Sequence, residues 1–107
     1  SKSKVRPELH KKLLVTFHAQ ASDKIRDMVT AMHRGDWSSV AITVHGLKGS
    51  MAYIWPDHPA VALAAELEHL ADAGQTQTFT EKLPHLISQM RAAFANDQME
   101  LNIPTAP

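Results

Sequence analysis

The 107-residue sequence predicts an all-α fold, an antiparallel up-down four-helix bundle with a short additional N-terminal helix. Apolar residues recur at three- and four-residue spacing along almost the whole chain, which is the period of an amphipathic helix. No segment shows a sustained alternation of apolar and polar residues, and neither Asn-Gly nor Asp-Gly occurs as a hairpin turn. The breaks between the helical segments are short, and short connections favour antiparallel neighbours.

The first two predicted helices lie within residues 7–33. Pro7 is typical of a first helical turn, and the first apolar stripe reaches Phe17. Ser22 is a good N-cap, so a second helix is expected to begin there. The apolar stripes of the two segments are Leu9, Leu13, Leu14 and Phe17, followed by Ile25, Met28, Val29 and Met32.

A third helix is predicted for residues 37–54. Gly35 suits the left-handed end of the preceding helix, and Asp36 can accept hydrogen bonds from the free N–H groups of the next one. One continuous apolar stripe follows, formed by Trp37, Val40, Val44, Leu47, Met51 and Ile54.

Two more helices complete the predicted bundle. The Pro-Asp-His-Pro sequence of residues 56–59 ends the third helix, and Gly74 closes the fourth. The last helix is expected to begin at Thr78 or Thr80. Pro84 either marks the first turn of that helix or kinks it.

The composition excludes several classes of function. Eleven basic residues balance eleven acidic residues, so the chain lacks the positive charge typical of proteins that bind duplex nucleic acid or anionic membranes. Without cysteine there is no disulfide, no zinc finger and no thiol nucleophile. No apolar run approaches the roughly 20 residues that span a bilayer.

The length allows one domain, which we expect to occupy residues 6–98. Residues 1–5 are expected to be a linker or a remnant of processing, and residues 99–107 a flexible C-terminal tail with two prolines and no periodicity. The sequence begins with Ser1, which suggests a segment excised from a longer protein.

The unusual feature of the composition is seven histidines, and one of them has a distinctive setting. His45 stands at the edge of the apolar stripe of the third helix and faces outward, with Lys48 on the same face. Gly46 and Gly49 each cost this helix about 0.8–1 kcal/mol relative to alanine. We expect Gly49 to leave clearance beside the imidazole. The residues expected to form an apolar docking surface around it are Ala41, Ile42, Gly46, Ala52 and Tyr53.

The segment His-Gly-Leu-Lys-Gly-Ser at residues 45–50 resembles the His-x-x-Lys-Gly phosphorylation motif of histidine-phosphotransfer (HPt) domains of bacterial phosphorelays. The similarity covers about residues 6–95. Its further parts are Pro7-Glu8-Leu9, Gly35-Asp36-Trp37 after Ala31, and Leu67-Glu68 ahead of Gly74.

This resemblance implies that His45 accepts a phosphoryl group from the aspartyl-phosphate of one receiver domain and passes it to another. An imidazole is mostly uncharged at pH 7, so a ring nitrogen is available as a nucleophile. The resemblance assigns Lys48 as an electrostatic helper and Glu68 as the group that orients the imidazole. HPt domains usually have a glycine ten residues after the histidine, where this chain has Trp55. The register therefore leaves open whether Glu68 or Glu66 approaches His45.

The resemblance also sets the expected partners. These are response-regulator receiver domains, which bring the aspartate and its Mg²⁺, so the chain needs no cofactor or metal of its own. We expect a monomeric phosphotransfer intermediate and not an autonomous enzyme, without direct membrane or nucleic-acid contact. It is expected in the cytoplasm. We favour a segment of a hybrid sensor histidine kinase, whose parent protein can be anchored in the bacterial inner membrane, but the sequence leaves a free-standing carrier open.

Two other functions remain open from the sequence. One is a non-catalytic helical module that docks receiver domains without phosphorylation. The other is a histidine-rich metal-binding bundle, although no two histidines are three or four residues apart. Glu66 and His69 have the three-residue spacing of a ligand pair, but no second copy of that pair occurs.

Overall fold

The computed structural model describes residues 6–103, and this part of the chain folds into four helices without a strand. They are α1 (Pro7–His33), α2 (Trp37–Ile54), α3 (Pro59–Asp72) and α4 (Thr76–Asn96). Successive helices pack against each other, and Phe17 of α1 stacks on Phe94 of α4 with ring centroids 5.6 Å apart. His10 near the start of α1 bonds the carbonyl oxygen of Ile54 at the end of α2, which makes these helices antiparallel. The predicted all-α bundle is confirmed.

The predicted short additional N-terminal helix is not a separate element. Helix α1 runs without interruption from Pro7 to His33, and Ser22 lies half-buried within it instead of capping a new helix. Residues 18–23 contain no glycine or proline that would end a helix. The two predicted apolar stripes therefore continue as one buried face, formed by Leu14, Phe17, Ala21, Ile25 and Met28.

The turn between α1 and α2 has the stop and start signals that the sequence predicts. Gly35 has φ +72°, a left-handed conformation in which glycine carries no Cβ penalty. Asp36 caps α2, and its carboxylate accepts from the N–H of Ser39 at 3.2 Å and from the hydroxyl of Ser39 at 2.6 Å. The hydroxyl bond, with the N–H bond second, holds the pKa of the Asp36 carboxyl below its usual value.

The last two helices begin differently from one another. His58 caps α3 because its Nδ1 accepts from the N–H of Ala60 at 3.0 Å. Helix α4 begins at Thr76, earlier than either predicted residue and two residues after the left-handed Gly74. The residue before it, Gln75, makes no side-chain capping bond, so no capping signal marks this start. Pro84 consequently lies inside α4 and not in its first turn.

The four helices enclose one apolar core. Its fully buried large side chains are Phe79, Phe94, Ile25, Met28, Leu47, Met51, Leu67, Leu86, Met90, Val40 and Val44. Among the described residues no charged or polar residue is buried. In the same part of the chain, no helix has the length and apolar character needed to cross a membrane.

Residues 99–103 pack against the bundle, contrary to the prediction of a flexible tail from residue 99. Leu101 is only 5% exposed and joins the core, with Met99 and Ile103 packed beside it. The side chains of His18, Arg26 and Arg91 donate to the backbone carbonyl oxygens of residues 100, 102 and 103, respectively. The apolar residues of this segment alternate, which is why the helical periodicity did not reveal them.

The remaining predictions about the chain ends lie outside the described residues. They concern the linker or processing remnant at residues 1–5 and the tail at residues 104–107. The folded unit of residues 6–98 is extended at least to residue 103 by the packed C-terminal segment.

Candidate functional site

The site lies on the outer face of α2, midway along the helix. The side chain of His45 is 69% exposed, while Val44 and Leu47 beside it are fully buried. This placement follows from the apolar period of the helix, which anchors one face in the core and turns His45 outward. The structure thus puts the predicted histidine at the surface on a rigid element.

Glu68 of α3 reaches the imidazole. Its Oε2 lies 2.7 Å from Nδ1 of His45. An ionised carboxylate can only accept hydrogen bonds, so Nδ1 carries the proton and donates a hydrogen bond to Glu68. The second ring nitrogen, Nε2, is then left with its lone pair.

The same register places Glu66 elsewhere. Its carboxylate forms an ion pair with Lys82 of α4. Two residues along a helix correspond to a rotation of roughly 200°, so Glu66 and Glu68 point to different neighbours. Between the two acids left open by the sequence, Glu68 is the one that contacts His45.

Lys48 is also held by Glu68. Its Nζ donates to Oε1 of that carboxylate at 2.5 Å, so the two oxygens serve one partner each. Lys48 is 31% exposed and Glu68 only 19%, so the pair is partly shielded from solvent. The hydrogen bond from Lys48, followed by the bond from His45, holds the pKa of the Glu68 carboxyl below its usual value, against an opposing effect of burial.

The two glycines of α2 open space beside the histidine. A Cβ atom built on Gly46 or Gly49 would meet no atom within 4 Å, and both residues are exposed. Neither glycine is therefore needed for packing within the described chain. Their effect is to remove side chains from the surface around His45.

Apolar side chains border this open surface. Ile42 is 73% exposed and Tyr53 is 66% exposed, which is unusual for side chains of their size. Gly46 and Ala52 of the predicted docking surface are exposed as well, but Ala41 is half-buried. Ala41 is one turn before His45, on the side of α2 that turns toward the neighbouring helix.

Helix α1 contributes to the site in a way that the sequence did not reveal. A groove of about 400 Å³ runs between α1 and α2, beside Gly49. Its lining residues are Leu13, Thr16, Phe17 and Gln20 of α1, and Gly49, Ser50, Tyr53 and Ile54 of α2. The pairing of α1 with α2 is a tertiary contact, and the sequence offered no signal for it beyond the apolar residues themselves.

Three of the other histidines serve the fold. His10 and His18 each donate from Nε2 to a backbone carbonyl oxygen at 2.7 Å, and His58 is the N-cap of α3. Within residues 6–103, no three histidine or acidic side chains come together as a set that could hold a metal ion. The described residues therefore give the metal-binding alternative no supporting geometry.

Comparison with known proteins identifies the family. The model of the Hpt domain matches residues 12–93, whereas searches of curated proteins and of solved structures find no match. The matched segment is more than half of the chain and includes His45, Lys48, Gly49 and Glu68. Hpt domains take part in histidine phosphotransfer in phosphorelays, where they interact with receiver domains. The chain is a member of the Hpt domain family.

Proposed function

We propose that His45 is the phosphoacceptor of this Hpt domain, taking a phosphoryl group from the aspartyl-phosphate of one receiver domain and passing it to another. The observation that carries the proposal is the hydrogen bond from Nδ1 of His45 to Glu68 at 2.7 Å on a side chain that is 69% exposed. This bond leaves Nε2 as a bare nucleophile that a docked partner can reach.

The transfer needs little covalent machinery from this chain. The lone pair of Nε2 forms the N–P bond while the P–O bond to the aspartate breaks, and the aspartate leaves as a carboxylate with the bonding electrons. The Nδ1 proton remains in its bond to Glu68, so the positive charge gained by the ring lies beside a carboxylate. In the second transfer an aspartate oxygen attacks phosphorus, and Nε2 takes back the electron pair.

The other residues of the site provide charge, access and contact. Lys48 supplies part of the positive charge of the site, and phosphoryl transfer depends mainly on positioning and charge stabilisation. Gly49 gives clearance for the incoming aspartyl-phosphate. Ile42 and Tyr53, together with Ala41, Gly46 and Ala52, form the docking surface. The Mg²⁺ ion that this chemistry requires is expected on the receiver.

The wider setting is part of the same proposal. We place the domain as a monomeric module in the cytoplasm, within a hybrid sensor histidine kinase whose own receiver supplies the phosphoryl group. Membership of the Hpt family supports a place in a phosphorelay. The sequence of the full-length protein tests this setting directly, because a kinase core and a receiver in the same chain are required by it.

The experiment is transfer of radioactive phosphate from a phosphorylated receiver domain to this chain. Wild type is expected to take up label that is acid-labile and alkali-stable, and His45→Gln is expected to lose it. His69→Gln and His85→Gln are matched controls, since both histidines are exposed on other helices, and both variants are expected to retain the label. Label on His45→Gln refutes the assignment of the residue. A wild type that binds receivers but takes no label favours the non-catalytic docking module.

A further inference from the structure

The position of Lys48 raises the question of how its charge acts on the reaction. A lysine three residues from a phosphoacceptor can contact the phosphoryl group directly, or it can act through a neighbouring group. In this structure the ammonium of Lys48 is bonded to Oε1 of Glu68. We propose that Lys48 is a positioning residue that acts on His45 through Glu68, by anchoring the carboxylate and offsetting its charge so that the imidazole stays an uncharged nucleophile. The proposal rests on the phosphoacceptor role of His45.

The geometry favours action through Glu68. The bonds at the two nitrogens of an imidazole diverge, so a phosphoryl group on Nε2 projects away from the carboxylate that holds Nδ1. The ammonium of Lys48 is bound to the other oxygen of that same carboxylate. With one oxygen held by Lys48, the other oxygen of Glu68 is aimed at His45. Lys48 thereby fixes the side-chain conformation on which the protonation of Nδ1 depends.

The charges point the same way. A carboxylate at 2.7 Å favours the doubly protonated imidazolium form of a histidine, and that form has no lone pair on Nε2. A second cation on the same carboxylate weakens this effect. Glu68 is only 19% exposed, so solvent screens these interactions less than at an open surface.

The neighbouring elements leave this task to Lys48. On the α4 side of α3, Lys82 is engaged by Glu66. The α1 residues that line the groove beside Gly49 are uncharged. The charged groups of α2 that act on Glu68 are His45 and Lys48, and the hydrogen bond from Lys48 is the largest cause of the lowered pKa of Glu68.

The first test compares Lys48→Met with wild type, using Lys82→Met as the matched control. Lys82 also forms an interhelical ion pair with a glutamate of α3, but its partner does not contact His45. In the unphosphorylated protein, the NMR titration midpoint of His45 is expected to move to higher pH in Lys48→Met, because the charge of Glu68 is then no longer offset. Lys82→Met is expected to leave it in place. An unchanged midpoint in Lys48→Met overturns the proposal.

The second test follows the rate of phosphoryl transfer from a phosphorylated receiver as a function of pH. In Lys48→Met the rate below the midpoint is expected to fall about three- to tenfold and to recover at higher pH, as the neutral fraction of His45 does. A direct contact between Lys48 and the phosphoryl group predicts the same loss at every pH, which would also overturn the proposal. Lys48→Arg keeps the charge and is expected to restore the wild-type profile.

A double-mutant cycle isolates the route through Glu68. In a Glu68→Gln background the carboxylate is gone, so adding Lys48→Met is expected to have no further effect on the rate. Independent, multiplying losses of the two variants contradict the proposal. The NMR titration uses unphosphorylated protein, so it tests the role of Lys48 independently of phosphorylation. If no label enters His45, that result counts against the phosphoacceptor role of His45 and not against the role of Lys48.

Discussion

Substituting the two glycines beside His45 is expected to stabilise the domain while damaging its function. Gly46 and Gly49 lie inside a continuous helix, and a Cβ atom at either position meets nothing within 4 Å. Alanine can therefore be added without a clash. Each helix-interior glycine gives up about 0.8–1.0 kcal/mol relative to alanine, so Gly46→Ala and Gly49→Ala should each raise the free energy of unfolding by about that amount. For a domain of this size, about 1 kcal/mol corresponds to a Tm increase of about 4–8 °C.

The other two glycines of the chain provide controls of opposite sign. Gly35 and Gly74 both have φ +72°, where an L side chain is strained. Alanine there meets no neighbouring atom either, but the left-handed backbone costs about 1–2 kcal/mol. The four alanine substitutions should thus divide into two that stabilise and two that destabilise, although all four positions are open to solvent.

The functional half of the prediction concerns Gly49→Leu. Leucine is a good helix former, so the variant should fold at least as well as wild type, yet its side chain fills the clearance beside His45. Urea denaturation measures stability, and transfer of label from a phosphorylated receiver measures function. A destabilised Gly49→Ala would refute the placement of this glycine on an open helix face. Unchanged transfer rates in Gly49→Leu would refute the clearance argument while leaving the stability prediction intact.

Two further predictions concern the packed C-terminal segment and the acid of the site. Leu101→Ala should lower the free energy of unfolding by about 2–3 kcal/mol in urea denaturation, because this leucine is only 5% exposed. Leu9 is 42% exposed, so Leu9→Ala is the control and should cost much less. Equal losses in the two variants would contradict the packing of residues 99–103. Glu68 has a lowered pKa in the folded state, so it contributes stability above its ordinary pKa of 4.5, and this is lost as the pH falls through the folded-state value. Thermal unfolding of wild type and Glu68→Gln across pH measures this contribution. The difference in stability between the two proteins should be present at pH 7 and shrink below pH 4.5. A difference that does not change with pH would contradict the ion pair.

Local signals in the sequence predicted much of the site. The Gly35 and Asp36 pair marks the start of α2 because a left-handed end and an N-cap involve neighbouring residues only. The exposure of His45 follows from the period of the same helix. Both features depend on contacts within a few residues, which is the range over which sequence patterns are informative.

The contact between Glu68 and His45 depends on how α3 packs against α2. Glu66 and Glu68 flank the buried Leu67, and each lies about 100° around the α3 axis from it, on opposite sides. In the structure the turn between α2 and α3 extends from Trp55 to His58, and Pro59 begins α3. The apolar period of α3 identifies its buried face but not which neighbouring helix lies on each side of that face, so the sequence could not distinguish Glu68 from Glu66.

Contacts between distant parts of the chain account for what was missed. Leu101 packs on the bundle while His18, 82 residues away from Glu100 in sequence, bonds the carbonyl oxygen of that residue. A carbonyl acceptor is present at every residue, so such a bond leaves no mark on the sequence of the segment. The continuity of α1 was missed for a related reason, since Ser22 suits a cap and also tolerates a helix interior supported by packing.

The histidines show why composition alone cannot identify a phosphoacceptor. His10 and His18 commit Nε2 to backbone carbonyl oxygens, and His58 accepts through Nδ1, so its proton lies on Nε2. In each of these three histidines, Nε2 is either hydrogen-bonded or protonated, whereas Nε2 of His45 keeps its lone pair. At His45 a carboxylate from the adjacent helix draws the proton to Nδ1, and the open face of α2 exposes Nε2. The reactivity expected of this residue thus depends on its partner Glu68, and that partner is set by how α3 packs against α2.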